Sequence, residues 1–414
     1  MKIAIIGSGI SGMVVAYLLC EEHDVAVFEA NDYIGGHTHT VEVEEDGRPY
    51  PVDTGFIVFN EITYPNFIKL MRRLGVSWQP SRMSFSVTCE KTGLEYSPSS
   101  LNSLFAQRSN LLRPSFYRMI MEIFRFRLQS KVLLKSDDYD MSLGPYLESK
   151  RYSKGFIQHF IIPMGAAIWS AEPGQFHRFP AGYFVEFFRN HGFLNVRTQP
   201  QWLTITGGSK RYVERLTRPY ADRIRLRCPV QSVRRHENHV EVKTGNHEAE
   251  RFDQAILATH SDQALAMLSD PSKPESEILS AIPYQENLAT LHKDIALLPY
   301  RRVCWASWNY RIPREALGRV ALTYDMNILQ SLPMREEVCV TLNLPHRVDP
   351  DKMIQKMIYH HPVYTPEGLR ARQRLGEING ANRTYFCGAY WGYGFHEDGV
   401  NSALEVCKHF GKTL

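Results

Sequence analysis

The sequence predicts an α/β protein in which a parallel sheet is combined with a second domain of mixed helices and strands. The first observation is an apolar run at residues 3–6 that stops at a glycine, as a buried parallel strand does. A glycine-rich turn at residues 7–12 then opens an apolar helix over residues 13–20, and a second apolar strand follows at residues 25–28. These elements make a complete βαβ unit at the start of the chain.

Each glycine of the first turn has its own steric reason. Gly7 makes the tight turn, Gly9 lets a pyrophosphate approach the backbone, and Gly12 allows the helix to pack closely on the strand. The free N–H groups at the helix N-terminus favour phosphate. Glu29 ends the second strand and is placed to accept hydrogen bonds from ribose hydroxyls. The unit therefore predicts a dinucleotide site.

A second glycine pair, Gly35-Gly36, follows Glu29 by six residues and precedes His37 and Thr38. Together with the βαβ unit, this pattern resembles the amine oxidase and phytoene desaturase group of FAD flavoproteins, in which the second pair carries the chain past the FAD pyrophosphate. The resemblance implies a Rossmann-like FAD-binding domain of the GR2 type with a mixed α+β substrate domain. A basic residue usually follows the pair in that family. His37 stands there instead, which leaves the source of the neutralising charge open.

The C-terminal stretch carries a second motif of the same group. A strand at residues 384–389 is followed by an aromatic and glycine loop at residues 390–399 and by a helix predicted over residues 400–410. The resembling flavoproteins close in this way, with the helix N-terminus facing the pyrimidine oxygen of the flavin. Such a dipole stabilises negative charge on the reduced ring. The alternative is that Asp398 is only a helix N-cap.

Between these ends, the alternation at residues 40–45 and a turn at residues 47–49 predict a hairpin. Asp53 begins a D-x-G segment that runs close to the isoalloxazine ring in the resembling proteins; the alternative is an ordinary strand-turn-strand. A helix over residues 64–74 and strands at 84–88 and 94–97 follow.

From residue 100 to about residue 195, helical patterns and aromatic residues dominate, which predicts a mainly helical insertion. Trp169 lies in a helix start that lines the substrate side in the resembling family, with core packing as the alternative. Gly207-Gly208 opens a further helix, and Val230 falls where family members contact adenine. Strand patterns at residues 303–310, 321–324 and 338–344 predict a substrate-domain sheet.

The pattern predicts a discontinuous FAD-binding domain made of residues 1–98, 201–268 and 376–414. The substrate domain is predicted to consist of a mainly helical part, residues 99–200, and a part with sheet and helices, residues 269–375. The resemblance and the motifs together assign FAD contacts to Gly7, Gly9, Ser11, Gly12, Glu29, Ala30, Gly35, Gly36, His37, Thr38, Gly55, Phe56, Val230, Gly388, Ala389, Gly399 and Val400.

The reaction implied is removal of a hydride from a substrate carbon, in which the cofactor carries out the chemistry and the protein orients the substrate. The polar candidates for the accompanying proton are His396, Glu397, His292 and Asp294, each of which has a structural alternative. Lys293 is the nearest candidate for the lysine that holds a water against the flavin in many amine oxidases. The residues expected to contact substrate are aromatic: Trp169, Trp305, Tyr390, Trp391 and Tyr393.

The amino-acid sequence of the aromatic loop indicates a class of substrate. Residues 389–399 look like those of a bacterial flavoprotein subgroup and of the flavin domain that precedes the methyltransferase in plant cyclopropane fatty acid synthases. That likeness implies action on unsaturated, methylated or cyclopropanated acyl chains of a lipid. An amine or amino-acid oxidase is the first alternative. A non-catalytic, FAD-stabilised partner of a lipid methyltransferase is the second.

Bulk properties exclude several other classes. A formal net charge of +4 over 414 residues, with no nucleic-acid-binding motif, argues against a nucleic-acid partner. The seven cysteines are scattered and never in CxxC spacing, which predicts reduced thiols and no metal site. The βαβ unit begins at Met1 and no apolar run reaches eighteen residues, so we expect a cytoplasmic protein.

A helix predicted over residues 115–134 raises the question of a membrane contact. Arg118, Glu122, Arg125 and Gln129 fall in one narrow polar sector of this helix. A wider face is apolar, and it carries Phe116, Tyr117, Ile120, Ile123, Phe124 and Leu128. One interpretation is a buried helix whose arginines meet solvent. The other is peripheral contact with an anionic bilayer at the inner membrane face.

Overall fold

The structure is a computed structural model that describes residues 1–135, 141–195, 200–245 and 248–414, without the side chain of Lys135. Within these residues the strands are, in chain order, β1 (Lys2–Ile6), β2 (Asp24–Phe28), β3 (Thr40–Glu45), β4 (Arg48–Asp53), β5 (Phe59–Asn60), β6 (Trp78–Pro80), β7 (Phe85–Cys89), β8 (Leu94–Tyr96), β9 (Trp202–Ile205), β10 (Ile224–Arg225), β11 (Val230–Arg235), β12 (Val240–Thr244), β13 (Glu250–Phe252), β14 (Gln254–Leu257), β15 (Tyr284–His292), β16 (Trp308–Ile312), β17 (Leu322–Asp325), β18 (Cys339–Leu342), β19 (Met353–Pro362) and β20 (Thr384–Phe386). The α-helices are α1 (Ile10–Leu19), α2 (Pro65–Leu74), α3 (Leu101–Leu104), α4 (Pro114–Gln129), α5 (Leu143–Ser149), α6 (Lys154–Phe156), α7 (Ile162–Trp169), α8 (Ala181–Asn190), α9 (Lys210–Thr217), α10 (Ser261–Met267), α11 (Lys273–Ser280), α12 (Met326–Leu329), α13 (Pro366–Gln373) and α14 (His396–Lys408).

A parallel sheet with the order β10-β2-β1-β14-β20 forms the first body of the fold. Its central strand β1 is apolar on both faces, because Ile3 and Ile5 pack against α1 and α14, while Ala4 and Ile6 pack against β12 and α11. The predicted βαβ unit is therefore correct, and the two terminal motifs of the sequence meet in one sheet.

A mixed sheet with the order β19-β15-β18-β17-β16-β7-β8 forms the second body. Its strands pair antiparallel except β7 and β16, which run parallel. The last two strands, β7 and β8, come from the N-terminal part that the sequence assigns to the FAD-binding domain, yet they hydrogen-bond to this second sheet. The predicted division into domains stays a prediction.

Helices α4 to α8 cover the second sheet and share a core with it, as expected for a mainly helical insertion. That core is strongly aromatic, and Trp169 packs within 5 Å, ring centroid to ring centroid, of both Phe179 and Phe187. Glu122, which the sequence places in the polar sector of α4, is buried. Its carboxylate accepts hydrogen bonds from the backbone N–H and hydroxyl of Ser153, so it holds α4 against α6.

The first turn is the tightest contact of the parallel sheet. A Cβ on Gly12 would lie far inside van der Waals contact of the Gly7 carbonyl oxygen, and one on Gly7, where φ is +101°, would lie 2.7 Å from the Ala258 carbonyl oxygen. These two glycines therefore set how closely α1 approaches β1 and β14.

We expect Gly12→Ala to destabilise the protein by about 1–3 kcal/mol, since an added methyl group in a close-packed contact forces backbone apart. Gly376→Ala is the matched control, because a Cβ at the exposed Gly376 meets nothing within 4 Å and lies outside the cavity wall. Denaturant unfolding of both variants measures the difference. Equal stabilities would show that the turn tolerates a wider spacing.

Candidate active site

A cavity of about 1680 Å³ lies between the two bodies of the fold. Part of its wall comes from the turns at the C-terminal ends of the parallel strands, and part comes from α4, α7, α8 and the mixed sheet. Ligand sites are commonly about 300–1,000 Å³. This volume therefore suits a dinucleotide together with a second molecule.

The nucleotide end of the cavity is formed by the first glycine turn and Glu29. Gly9 leaves open space where its side chain would point, and it immediately precedes the N-terminus of α1. The buried Glu29 carboxylate accepts hydrogen bonds from the Ser8 N–H at 3.0 Å and from the Asn31 N–H at 2.8 Å. The Ser8 hydroxyl donates to the same oxygen as the Ser8 N–H, so the other oxygen, Oε1, is the one that keeps a lone pair for a further donor such as a ribose hydroxyl.

The second glycine pair lies directly against the first turn. Gly36 has a φ of +59°, and a Cβ there would come within 3.2 Å of the Gly9 Cα. The next residue, His37, lines the cavity, and its ring centroid lies 5.1 Å from that of Tyr359 and 5.3 Å from that of His361. Burial lowers the pKa of His37 to about 4. His37 is therefore neutral at pH 7 in this structure and adds no positive charge.

His37 is one of four histidines on this wall, together with His260, His360 and His361. Burial lowers the pKa of His260 to about 4 and that of His361 to about 3, and neighbouring histidines lower both further. His361 also lies 3.0 Å, Nδ1 to Nδ2, from Asn287. The sequence does not reveal this cluster, because His360 and His361 lie in β19, more than 300 residues after His37.

The D-x-G segment anchors the next part of the wall. Asp53 is buried and accepts hydrogen bonds from the backbone N–H and the hydroxyl of Ser209, which joins β4 to the start of α9. Gly55 and Phe56 then line the cavity. Phe56 stacks on the ring of His396 at a centroid distance of 3.5 Å. The segment thus connects the hairpin to the C-terminal helix.

The C-terminal motif differs in one respect from the prediction. Helix α14 begins at His396 instead of residue 400, because the Asp398 carboxylate accepts the N–H of Phe395, the residue before the helix, at 2.9 Å. The Gly399 N–H is consequently bonded inside the helix, to the Phe395 carbonyl. Neither Gly399 nor Val400 lines the cavity, so the structure does not support their assignment as FAD contacts.

Gly399 instead packs α14 on α1. A Cβ there would lie 2.6 Å from Ile10, and the Ser11 hydroxyl donates to the Gly399 carbonyl at 2.9 Å. Thr38 likewise lies behind the wall, where its hydroxyl bonds to Tyr212 and His396. The assigned FAD contacts that line the cavity are Gly7, Gly9, Ser11, Glu29, Ala30, Gly35, Gly36, His37, Gly55, Phe56, Val230, Gly388 and Ala389. Those that do not are Gly12, Thr38, Gly399 and Val400.

Of the four candidates for proton transfer, His396 alone lines the cavity. Its Nε2 lies 2.9 Å from the Thr38 hydroxyl and 3.0 Å from that of Tyr212, and burial holds its pKa well below the usual range. The Glu397 carboxylate accepts the N–H groups of Asn66 and Phe67 and so caps α2.

His292 and Asp294 lie at the far end of β15, away from the cavity wall. His292 bonds to the Thr341 hydroxyl at 2.7 Å, and Asp294 accepts the N–H groups of Ala296 and Asp349. Their polar atoms, like those of Glu397, are used for local structure. A catalytic role for these three residues is not compatible with their positions.

The aromatic candidates divide in a similar way. Trp169, Tyr390 and Tyr393 line the cavity. Trp305 and Trp391 do not, since Trp305 lies in a turn before β16 and donates its indole N–H to the Pro299 carbonyl, while Trp391 packs beneath the parallel sheet. The tryptophan of that region that lines the cavity is Trp308, three residues later.

Lysine is absent from the described wall, and Lys293 pairs with Glu336 at 2.6 Å on the surface. Two charged side chains reach the described part of the wall: Glu29 at the nucleotide end and Arg127 from α4. Burial lowers the pKa of Arg127, and no acidic side chain within the described ranges pairs with it. The sequence did not identify Arg127, because the helical period does not tell which face meets a cavity.

Comparison with known proteins identifies the fold. A family model described as flavin-containing amine oxidoreductase matches residues 10–317, about three quarters of the chain. The chain belongs to this family. The match confirms the resemblance found in the sequence at the level of the family, together with the α/β fold class and FAD as cofactor.

Among curated relatives, the flavin-containing amine oxidase A of Sus scrofa is 24% identical over 352 residues, which cover 78% of this chain and 62% of the relative. The corresponding protein of Canis lupus familiaris is 24% identical over 261 residues, which cover 59% and 47%. The chain thus spans less than two thirds of the length of these relatives.

Solved structures share the fold along almost the whole chain. Cyclohexylamine oxidase from Brevibacterium oxydans IH-35A has a TM-score of 0.70 at 16% identity, with 99% of both chains covered. Wild-type putrescine oxidase bound to putrescine has a TM-score of 0.68 at 15% identity, also with 99% coverage of both. A CLA-producing fatty acid isomerase from P. acnes has a TM-score of 0.65 at 18% identity, with 99% and 98% covered.

The residues present fit FAD. The open space at Gly9 beside the α1 N-terminus suits a pyrophosphate, and the buried Glu29 suits a ribose. Two indole N–H groups of the wall, those of Trp169 and Trp308, are buried and have no acceptor among the described residues. Glu29, Gly36 and Val230 would hold the nucleotide half, and Gly55, Phe56 and Ala389 would border the flavin half.

Gly9→Val is expected to abolish FAD binding while the protein still folds, because the two added methyl groups enter the space reserved for the pyrophosphate. Purified protein should be colourless, with unchanged circular dichroism. Gly376→Val is the matched control, since Gly376 is exposed and also has open space around it. Full flavin occupancy in the Gly9 variant would contradict the placement.

Acid is expected to destabilise the protein through the histidine cluster. The folded protein keeps His361 neutral down to about pH 3, whereas an unfolded histidine is protonated below about pH 6.5. The unfolded chain therefore binds more protons between these values, and stability falls as pH decreases from about 6.5, by at most about 1.4 kcal/mol per pH unit for each such histidine. His361→Gln should flatten the dependence of Tm on pH relative to His346→Gln, a change at an exposed position. Identical slopes would contradict the assignment.

Proposed function

We propose that the protein is an FAD-dependent oxidoreductase that removes a hydride from a fatty acyl chain that is unsaturated, methylated or cyclopropane-type. The observation that carries the proposal is the charge pattern of the cavity wall. In its described part Arg127 is the one charged side chain besides Glu29, and the rest of the substrate end is mainly aromatic and aliphatic. Such a wall suits a long apolar chain with an acidic end.

Arg127 would hold the acidic end of the substrate. Its guanidinium lies 5.7 Å from the ring centroid of Phe124 and is partly desolvated. Charge-assisted hydrogen bonds between arginine and carboxylate are worth about 1.5–3 kcal/mol. Partial burial without an acidic partner among the described residues leaves this cation available for a substrate carboxylate.

The aromatic wall would orient the chain and exclude water. Phe160, Met164 and Ile168 line the cavity. They lie in α7 and in the helical turn just before it, and Trp169 closes that side. When bound, FAD supplies the acceptor for the hydride, which carries two electrons away from the substrate carbon. The protein contributes position and a dry environment.

The proton lost with the hydride needs an acceptor. The histidines of the wall are neutral, but burial lowers their pKa values to about 4 or below, which makes them weak bases. Weak bases are adequate where departure of the hydride leaves an allylic cation, because such a cation readily loses a proton from the adjacent carbon and forms a second double bond. This argument favours an unsaturated acyl chain over a saturated one.

An amine or amino-acid oxidase is the main alternative. It is supported by the family description and by relatives named as amine oxidases. A protonated amine, however, would meet Arg127 and would find no carboxylate in the described wall except Glu29, both of whose oxygens are already bonded. The likeness in fold to a fatty acid isomerase shows that this architecture also occurs in a protein named for a fatty acid.

The test is anaerobic bleaching of the bound flavin by free unsaturated fatty acids and, in parallel, by mono- and polyamines. We expect bleaching by fatty acids and a KM raised about 10–100-fold by Arg127→Gln, which corresponds to the loss of one charge-assisted contact. Arg108→Gln, on the exposed surface, should change nothing. Bleaching by amines alone would establish the alternative, and no bleaching by either class would favour a non-catalytic partner of a lipid methyltransferase.

A further inference from the structure

Helix α4 separates the cavity from the surface. Its inner side buries Phe116, Met119, Ile123 and Phe126, and Ile123, Phe126 and Arg127 form part of the cavity wall. An α-helix with its side chains is about 10–12 Å across. The substrate end of the cavity is therefore one helix away from the outside.

The outer side of the same helix is also apolar, although it faces solvent. Tyr117, Met121, Phe124 and Leu128 follow one another at steps of four, three and four residues, which places them on one stripe. Met121 and Leu128 are 70% and 71% exposed, and Leu112, just before the helix, is 88% exposed. Soluble monomers rarely expose a contiguous apolar patch, so this stripe indicates an interaction site.

This exposure is concentrated along the chain. Of the seventeen large apolar side chains that are exposed in the described residues, nine lie between positions 101 and 141. They are Leu101, Leu111, Leu112, Tyr117, Met121, Phe124, Leu128, Val132 and Met141. We call the seven of them from Leu111 to Val132 the α4 apolar surface. Leu111, Leu112, Tyr117 and Met121 line one shallow groove in it.

The surface is bordered by positive charge. Residues 101–135 contain seven Arg and Lys and a single acidic residue, Glu122, which is buried. Arg113, Arg118 and Lys131 are exposed beside the stripe. The next acidic residues along the chain, Asp137, Asp138 and Asp140, lie outside the described residues. A second copy of the chain docked face to face would bring two cationic borders together, so the charge favours an anionic surface.

We propose that the α4 apolar surface docks on an anionic lipid bilayer and that the acyl chain passes from the bilayer beside α4 into the cavity. The stripe would enter the interface while Arg113, Arg118 and Lys131 reach the headgroups. Contact would be peripheral, since no helix among the described residues has the length and hydropathy needed to cross a bilayer. The route into the cavity rests on the proposed function; the docking does not.

Docking is tested by flotation of the flavin-loaded protein with vesicles of phosphatidylglycerol and phosphatidylcholine and with vesicles of phosphatidylcholine alone. We expect binding to the anionic vesicles, at least tenfold weaker binding to the zwitterionic ones, and release at about 1 M NaCl, where the Debye length is about 3 Å. Failure to bind either vesicle at low salt would overturn the proposal. Equal binding to both would overturn its electrostatic part.

Paired variants separate the two contributions. Met121→Gln with Leu128→Gln should weaken vesicle binding at least tenfold, whereas Ile62→Gln with Leu226→Gln, which changes exposed apolar residues elsewhere, should not. Arg113→Glu with Lys131→Glu should remove the preference for anionic vesicles. None of these residues lines the cavity, so bleaching of the flavin by free fatty acid should be unchanged in all three double variants.

The outcomes distinguish this proposal from the proposed function. Vesicle binding without bleaching by any acyl substrate would keep the docking and contradict acyl oxidation. Bleaching by free fatty acid without vesicle binding would do the reverse. Light scattering of the free protein tests whether a second copy of the chain covers the α4 apolar surface instead. If the protein is a dimer and Met121→Gln with Leu128→Gln converts it to a monomer, the partner is a second copy and the membrane assignment is overturned.

Discussion

The contact between the first turns of α1 and α14 is the constraint on which the cavity depends. The Ser11 hydroxyl donates to the Gly399 carbonyl at 2.9 Å, and the absence of a side chain at Gly399 lets the two helices approach. This contact joins residues separated by 388 positions. It brings the glycine turns, which would contact the phosphates, beside the loop that would border the flavin half, so that one wall would serve both ends of the cofactor.

Charge is distributed unevenly along this wall. The nucleotide end has a buried carboxylate, Glu29, and the substrate end has a guanidinium, Arg127; between them lie imidazoles that burial keeps neutral. The two charges would serve different molecules: Glu29 would contact the ribose of the cofactor, and Arg127 would contact the acidic end of the proposed substrate. The same helix that carries Arg127 also carries the α4 apolar surface, so the proposed entrance and the proposed anchor would belong to one element.

The turns at the two ends of the chain were predictable because glycine spacing is a local signal with a steric cause. Such signals predict that the turns at Gly9 and Gly36 would contact the phosphates. The presence of the four histidines and Trp308 in the cavity wall was not predictable, since they reach the cavity through strand pairing between distant residues. The burial of Glu122 and Glu397 could not be predicted for a related reason. Each carboxylate caps a neighbouring helix, and such a partner is visible only in three dimensions. The start of α14 was placed late because Gly399 resembles a helix boundary.

Strand β20 and helix α14 complete both the parallel sheet and the cavity wall, although they follow β1 and α1 by more than 350 residues. A ribosome-bound chain that has not yet released residues 384–408 therefore lacks the partner of Ser11 and the floor of the flavin half. The sheet and the flavin half of the cavity wall can therefore close only after residues 384–408 have left the ribosome. Until then the apolar residues of the wall lack part of their cover, and exposed apolar surface favours aggregation.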